Sequence, residues 1–161
     1  MKHAIAVGVA SITVIATSPI ARAEPVAPQP DTPCPDAVAG ALTQLPDLTT
    51  LLQCRAEPGV GNRWQILDDP YPHSDRWLTY GPTLTLHGEG QRNRELDSGD
   101  WVGDPQDPGA RCTAQQQAIA DAGGLTPPQL ANGEPGRPLT LRLQPLLFTI
   151  ELAGYCLWEK G

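Results

Sequence analysis

Residues 139–158, LTLRLQPLLFTIELAGYCLW, carry the clearest structural signal in the 161-residue chain. From Leu139 to Leu143, leucines alternate with polar residues. After Pro145 the alternation resumes, and one face then holds Phe148, Ile150, Leu152, Cys156 and Trp158. A period of two predicts a strand with one buried face, so we expect a hairpin or one bent strand here. Because Cys156 shares the buried face, a disulfide from it would clamp a helix onto the sheet.

Three segments upstream of this stretch have the composition of short strands. They are residues 63–67 (RWQIL), 76–80 (RWLTY) and 83–87 (TLTLH), separated by turns rich in Asp, Pro and Gly. In the third segment, leucines on one face alternate with threonines and a histidine on the other. This one-sided alternation predicts an antiparallel sheet, built from these segments and residues 139–158.

Two other parts of the chain show helical spacing. Within residues 36–53, apolar side chains recur at helical intervals, at Val38, Leu42, Leu45, Leu48 and Leu52. Pro46 would divide this region into two short helices, because it lacks the N–H donor that a helix interior needs. Residues 113–121 predict another helix, with Thr113 as its N-cap and Gly123 as its stop. We therefore expect the α+β fold class, a small antiparallel sheet with short helices packed on one face.

Four cysteines lie far apart in the chain, at Cys34, Cys54, Cys112 and Cys156. Close pairs such as C-x₂-C are absent, which disfavours a metal-thiolate or redox-active site and favours two structural disulfides. A bridge from Cys34 to Cys54 needs their Cα atoms within ~7 Å, which a reversal of the chain at Pro46 permits. We favour this pairing together with Cys112–Cys156, and the two crossed pairings stay open.

The first 23 residues have the layout of a secretory signal peptide. A short basic start precedes an apolar run over residues 4–15, and Ala-Arg-Ala follows at positions 21–23. The apolar run is too short to span a bilayer, so we expect cleavage of residues 1–23 and no stable membrane anchor. Residues 24–35 contain five prolines and predict an extended segment. Residues 36–161 predict a single domain stabilised by the disulfides.

Composition excludes several classes of function. The chain holds 18 prolines, 16 glycines and one phenylalanine, and its formal net charge is −7. After removal of residues 1–23, 9 basic residues face 18 acidic ones, which gives a net charge of −9. This acidity disfavours nucleic-acid binding, which needs basic side chains against the phosphates. Disulfides and a signal peptide lead us to expect a secreted protein, extracellular or in the cell wall.

The whole chain resembles the small exported proteins of actinobacteria. The shared features are an Ala-, Pro- and Arg-rich composition with few lysines, a signal that ends in Ala-Arg-Ala, a Pro-rich mature start and four spaced cysteines. A cysteine directly after the apolar run, which a lipoprotein would carry, is absent from the sequence. The resemblance implies a location in the cell envelope or outside the cell, and no particular activity.

Catalytic groups are scarce downstream of the signal peptide. The histidines and serines of that part are His73, His87, Ser74 and Ser98, and the G-x-S-x-G motif of serine hydrolases is absent. We therefore assign no catalytic residue. The segment 95–107 is rich in acidic residues, like a calcium-binding loop, but its acidic residues do not have the spacing of the EF-hand motif. We assign no metal and no cofactor, while calcium binding by this loop stays open.

Aromatic and acidic residues near predicted loops form a candidate ligand surface, namely Trp101, Tyr71, Tyr80, Asp97 and Asp100. Aromatic rings with one apolar face and one polar end suit a partly wet binding surface, such as one for a glycan. The competing interpretation is that tryptophans replace phenylalanine in a small core. We expect core positions for Trp64, Trp77 and Trp158, and the sequence does not decide between the two roles for Trp101.

These observations predict a secreted, non-catalytic binding or interaction protein whose ligand is a protein or a glycan. Two alternatives come from other classes of function. One is a small hydrolase of the cell envelope with two carboxylates facing each other in a cleft. The other is a secreted protease inhibitor that presents a loop such as residues 104–112.

Overall fold

The computed structural model describes residues 25–161, so the predicted signal peptide lies outside the described residues. This part of the chain contains a 3₁₀ turn, Asp36–Val38, and nine strands, with no α-helix among the described residues. The strands are β1 Leu42–Gln44, β2 Leu51–Glu57, β3 Gly61–Leu67, β4 Arg76–His87, β5 Gly99–Pro105, β6 Thr113–Ala118, β7 Gln129–Asn132, β8 Leu139–Leu143 and β9 Leu147–Lys160. Over residues 25–161, no helix reaches the length and apolarity that a membrane span requires.

Strand β9 is the centre of the sheet. One of its edges pairs with β4 over almost the full length, from Glu159 opposite Arg76 to Thr149 opposite His87. The other edge is shared, because β6 pairs with the first half of β9 and β5 with the second half. From this centre the sheet continues through β4 to β1, β2 and β3, and through β5 and β6 to β8 and β7. The pair β1–β4 is parallel, whereas the other named pairs are antiparallel.

Gly154 lies where β9 passes from one partner strand to the next. Its neighbour Ala153 is opposite Thr113 of β6, and Cys156 is opposite Pro105 of β5. The φ angle of Gly154 is +99°, a left-handed conformation that glycine adopts readily. A Cβ at this position would lie 2.1 Å from the carbonyl oxygen of Arg111, so a larger residue does not fit.

The prediction of helices in residues 36–53 is wrong. This segment forms the 3₁₀ turn and then the β1–β2 hairpin, in whose turn Asp47 accepts two backbone hydrogen bonds. Leu42 and Leu51 enter the core on one face of the sheet, whereas Leu52 enters the core on the opposite face. Because both faces are buried, apolar residues occupy successive strand positions, and their spacing imitates that of a helix.

The predicted helix over residues 113–121 is also wrong, because this segment forms strand β6. Its buried positions alternate and are Ala114, Gln116 and Ala118. Alanine and glutamine favour a helix in isolation, but β6 pairs with β7 on one edge and with β9 on the other. These long-range pairings outweigh the local preference. The α+β fold class is therefore incorrect, and the described chain is nearly all β, with a mixed sheet.

The predicted strands coincide with observed strands, but their connections differ. Residues 63–67 fall within β3. Residues 76–80 and 83–87 both belong to β4, which a β-bulge interrupts without ending. Residues 139–158 contain β8 and most of β9, which pair with other strands and not with each other. Neither the expected hairpin nor the single bent strand forms, because β8 pairs with β5 whereas β9 pairs with β4, β5 and β6.

The sheet buries apolar side chains on both faces. The larger core includes Trp77, Trp101 and Trp158 together with leucines from β4, β8 and β9. The smaller core, on the opposite face, holds Cys34, Val38, Ala41, Leu52, Cys54, Trp64, Leu78 and Leu157. The expected core positions of three tryptophans are thus confirmed, and Trp101 joins them with 2% of its surface exposed.

Both favoured disulfides are present. Cys34–Cys54 joins the N-terminal segment to β2, with Cα atoms 6.0 Å apart. Cys112–Cys156 joins the residue before β6 to β9, with Cα atoms 5.9 Å apart. The second bridge therefore clamps a strand, and not the expected helix, to the centre of the sheet. Removing a disulfide of this kind typically costs about 2–5 kcal/mol of folding free energy.

The side chain of Gln116 links β6 to β8 across the curled sheet. Its Nε2 donates a hydrogen bond to the carbonyl oxygen of Arg142 at 3.0 Å. Its Oε1 accepts one from the backbone N–H of Gln144, also at 3.0 Å. The Gln116 side chain is buried, and both ends of its amide are satisfied by these two backbone groups. The Gln116 amide thus connects β6 with β8, two strands that do not pair with each other.

We expect Gln116→Met to lower the free energy of unfolding by about 1–2 kcal/mol, because it removes two partly buried hydrogen bonds between β6 and the end of β8. Methionine keeps the length of the side chain, so the loss reports hydrogen bonding more than volume. Urea denaturation followed by tryptophan fluorescence measures the change. The matched control is Gln115→Met on the opposite face of β6, expected within about 0.5 kcal/mol of the wild type. Equal stabilities of the two variants would contradict this role.

Candidate functional site

The N-terminal strap, residues 25–35, crosses the face of the sheet that carries the smaller core. Its second half extends the edge of β3: Asp31 donates a backbone hydrogen bond to Trp64 at 2.7 Å, and Thr32 accepts one from Trp64 at 2.9 Å. Cys34 donates another to Asn62 at 3.0 Å. The first half has no such ladder, and Val26 is 85% exposed. The strap is therefore anchored at one end by β3 and by the Cys34–Cys54 disulfide.

A cleft of about 420 Å³ lies between the strap and the sheet. Its walls come from the strap, the 3₁₀ turn, β3, β4, β9 and the loop after β5. The lining residues are Val26, Ala27, Pro28, Gln29, Thr32, Pro33, Pro35, Val38, Trp64, Leu78, Tyr80, Gln106 and Tyr155. None of these described residues carries a charged side chain. A mainly apolar and aromatic lining with a few neutral polar groups is typical of small-molecule sites, which have volumes of about 300–1,000 Å³.

Three aromatic side chains contribute to this cleft, and the sheet positions each of them. Trp64 and Tyr80 are nearly buried, at 4% and 6% exposure, and Tyr155 is partly buried. Tyr80 and Tyr155 are directly opposite each other in the β4–β9 pair. The hydroxyl of Tyr80 donates a hydrogen bond to the carbonyl oxygen of Gln44 at 2.7 Å, which fixes the ring. Burial, together with the negative charge of Asp47, raises the pKa of Tyr80.

Asp47 supplies a fixed negative charge beside this region. Its carboxylate accepts hydrogen bonds from the hydroxyl of Thr50 at 2.6 Å and from the backbone N–H groups of Thr50 and Thr49 at 2.8 and 2.9 Å. These bonds lower the pKa of Asp47 to about 2. The carboxylate is therefore ionised throughout the physiological pH range.

The predicted ligand-surface residues divide between separate places, and two of them, Asp100 and Trp101, line an open hollow of about 410 Å³ beside β5 and β8. Tyr80 lines the cleft. Trp101 is 2% exposed in the larger core and donates its indole N–H to the carbonyl oxygen of Asp97 at 3.0 Å, which fixes its ring. Tyr71 is 49% exposed and its ring centre lies 6.5 Å from that of His87. Asp100 is exposed and pairs with Arg142 at 3.0 Å.

Asp97 and Glu95 form two histidine–carboxylate pairs. Oδ1 of Asp97 lies 3.1 Å from Nε2 of His73, and Oδ2 lies 3.4 Å from Nζ of Lys160. Oε2 of Glu95 lies 3.1 Å from Nδ1 of His87. Burial raises the pKa of Glu95, against a hydrogen bond and the charge of His87. For Asp97, burial acts in the same direction, but His73, Arg94 and Lys160 outweigh it and lower the pKa.

The hydroxyls that a catalytic triad would need are engaged elsewhere. Ser74 Oγ lies 3.0 Å from the carbonyl oxygen of Arg76 and accepts a hydrogen bond from its N–H. Ser98 Oγ hydrogen-bonds the carboxylate of Glu89 and the carbonyl oxygen of Gln144, each at 2.8 Å. Among residues 25–161, no three His, Cys, Asp or Glu side chains lie close enough to hold a metal ion.

The cleft does not follow from the sequence, because residues 24–35 predict an extended segment separate from the domain. The sequence predicts a core position for Trp64, and no motif marks Tyr155, Gln106 or the strap prolines as ligand contacts. One signal was available in the sequence. Cys34 lies within the Pro-rich residues 24–35, so a disulfide from Cys34 to Cys54 ties the end of that segment to the domain.

We expect the loss of the Asp97 ion pairs to destabilise the fold at neutral pH. A carboxylate with a lowered folded-state pKa contributes stability above its unfolded pKa and loses it as the pH falls through the folded value. Asp97→Asn should therefore cost about 1–2 kcal/mol at pH 7, between the values for exposed and buried ion pairs. The difference in free energy of unfolding between the wild type and Asp97→Asn should become smaller below pH ~4.

Thermal unfolding at several pH values measures this effect, and the exposed Asp121→Asn serves as the control. If the stability difference between the wild type and Asp97→Asn stays constant down to pH ~2, the loss of stability does not come from the ion pairs of Asp97.

Comparisons with known proteins leave the cleft to be interpreted from its own chemistry. No protein-family model, curated protein or solved structure matches the chain.

Proposed function

We propose that this chain is an exported, non-catalytic binding protein that holds a small ligand in the cleft beneath the strap. The observation that carries the proposal is the cleft lining, which is aromatic and apolar and has no charged side chain among its described residues. The strap supports the proposal because it places a second wall over the sheet. A ligand between the two walls is removed from water on both sides, as affinity for a small apolar molecule requires.

The location that we propose is extracellular or in the cell wall. The two disulfides are compatible with an oxidising compartment. The signal-peptide layout of residues 1–23 and the likeness to small exported actinobacterial proteins support the same proposal. The sequence predicted a protein or a glycan as ligand, and a cleft of about 420 Å³ favours a small molecule or a single sugar unit.

The two alternative functions receive no support from the geometry. A carboxylate-dependent hydrolase needs two facing acids in a cleft, and the lining residues include none. A protease inhibitor must offer an accessible scissile carbonyl in its loop. The end of residues 104–112 is held to the sheet, because Ala110 and Cys112 are buried and the carbonyl oxygen of Arg111 packs against Gly154.

A neutral fluorescent probe tests the proposed function. We expect N-phenyl-1-naphthylamine to bind at one site per chain. Ala27→Phe, which fills the cleft from the strap side, should weaken this binding at least about tenfold. The substitution leaves both cores and both disulfides in place, so circular dichroism and thermal stability should be unchanged.

Ala122→Phe, in an exposed loop away from the cleft, is the matched control and should bind the probe like the wild type. Equal probe binding by the two phenylalanine variants would overturn the proposal, since the probe would then bind elsewhere.

A further inference from the structure

We infer that the cleft beneath the strap selects ligands that carry a quaternary ammonium group. This inference rests on the proposed binding function and adds a ligand class to it. Its geometric basis is the meeting of three aromatic side chains, Trp64, Tyr80 and Tyr155, in a single uncharged cleft. The face of an aromatic ring attracts a cation, and tryptophan and tyrosine are the strongest partners.

The charges around the cleft favour a cation. Asp31, Asp36 and Asp104 are exposed, and each lies within two residues of a lining residue in the chain. Burial raises the pKa of the Tyr80 phenol, and the negative charge of Asp47 adds to this effect. A negative rim around a lining without charges raises the local concentration of cations and repels anions.

The basic side chains beside the cleft are already engaged by the protein. Arg63 donates to the carbonyl oxygen of Asp31, and its Nε lies 3.8 Å from Glu57. The guanidinium of Arg76 lies 2.8 Å from Glu159 and also donates to two carbonyl oxygens near the 3₁₀ turn. Neither side chain lines the cleft, so neither competes with a cationic ligand for the aromatic rings.

The lining also distinguishes among cations. A primary ammonium or a guanidinium enters with several N–H donors, which need acceptors once water is removed. The lining has no carboxylate, so the side-chain acceptors for such donors are neutral oxygens, as on Gln29, Thr32 and Gln106. A quaternary ammonium has no N–H donor, so burying it leaves no hydrogen bond unmade. Its methyl groups also match the apolar character of the strap prolines.

A pair of isosteric probes tests this inference on the mature chain. Choline and 3,3-dimethyl-1-butanol have nearly the same shape, but only choline carries the positive charge. We expect choline to bind about tenfold more tightly at low ionic strength, because cation–π contacts in a desolvated site favour the charged probe. Isothermal titration calorimetry and tryptophan fluorescence provide the two readouts, and Trp64 is the tryptophan that lines the cleft.

Variants at position 155 separate ring contacts from folding. Tyr155→Phe keeps the ring and should retain the preference for choline. Tyr155→Leu removes the ring and should reduce the preference to about twofold or less. Tyr155 is only partly buried, so both variants should fold, as circular dichroism can confirm. Tyr71→Leu removes an exposed ring outside the cleft and should leave the preference unchanged.

The outcomes distinguish failure of the inference from failure of the proposed function. If the two isosteres bind equally, or the neutral one binds more tightly, the inference is overturned while small-molecule binding in the cleft survives. If neither isostere binds but N-phenyl-1-naphthylamine does, the cleft is an apolar site without cation selectivity, and the inference again fails. If no probe binds, both the inference and the proposed function fail.

Discussion

The backbone pairing of β9 is the interaction on which the rest of the structure depends. This strand is hydrogen-bonded on both edges, and on one edge it serves two different strands in succession. Gly154 makes the change of partner possible, because its left-handed φ and missing Cβ let the carbonyl of Arg111 approach. The same junction brings Cys156 opposite β5 and next to Cys112. The Cys112–Cys156 disulfide and the change from β6 to β5 as hydrogen-bonding partner therefore lie next to each other in β9.

A sheet with apolar side chains on both faces needs a cover on each. On the larger core the curl of the sheet provides that cover, with Gln116 joining β6 to β8. The smaller core is covered by the N-terminal strap and the 3₁₀ turn, and not by a second layer of strands. The strap contacts the sheet through β3 and a disulfide at one end, and this leaves the aromatic cleft beneath its other end. The candidate site is thus a consequence of how the second core is closed.

The fold was predictable where one face of a strand is buried and the other is wet. Residues 83–87 alternate in this way, and they lie in a strand as expected. Residues 36–53 were misassigned because Leu51 and Leu52 enter opposite cores, which removes the period of two. Residues 113–121 were misassigned because alanine and glutamine prefer helices locally, and only pairing with β7 and β9 reverses that preference. The disulfide pairing was inferred correctly for Cys34–Cys54, although a β-hairpin and not two helices reverses the chain.

By itself the sequence indicated two disulfides, favoured their pairing and placed the one-sided strands, and the structure then decided the pairing. Only the tertiary structure decided that Trp101 is buried, that Tyr71 and Asp100 lie apart, and that Trp64, Tyr80 and Tyr155 share a cleft with the strap. The physical reason is that the spacing of apolar residues in the sequence indicates only on which face of its own strand a side chain lies. Whether that side meets water, a core or a cleft depends on segments far away in the chain, and here on a strap that the disulfide holds in place.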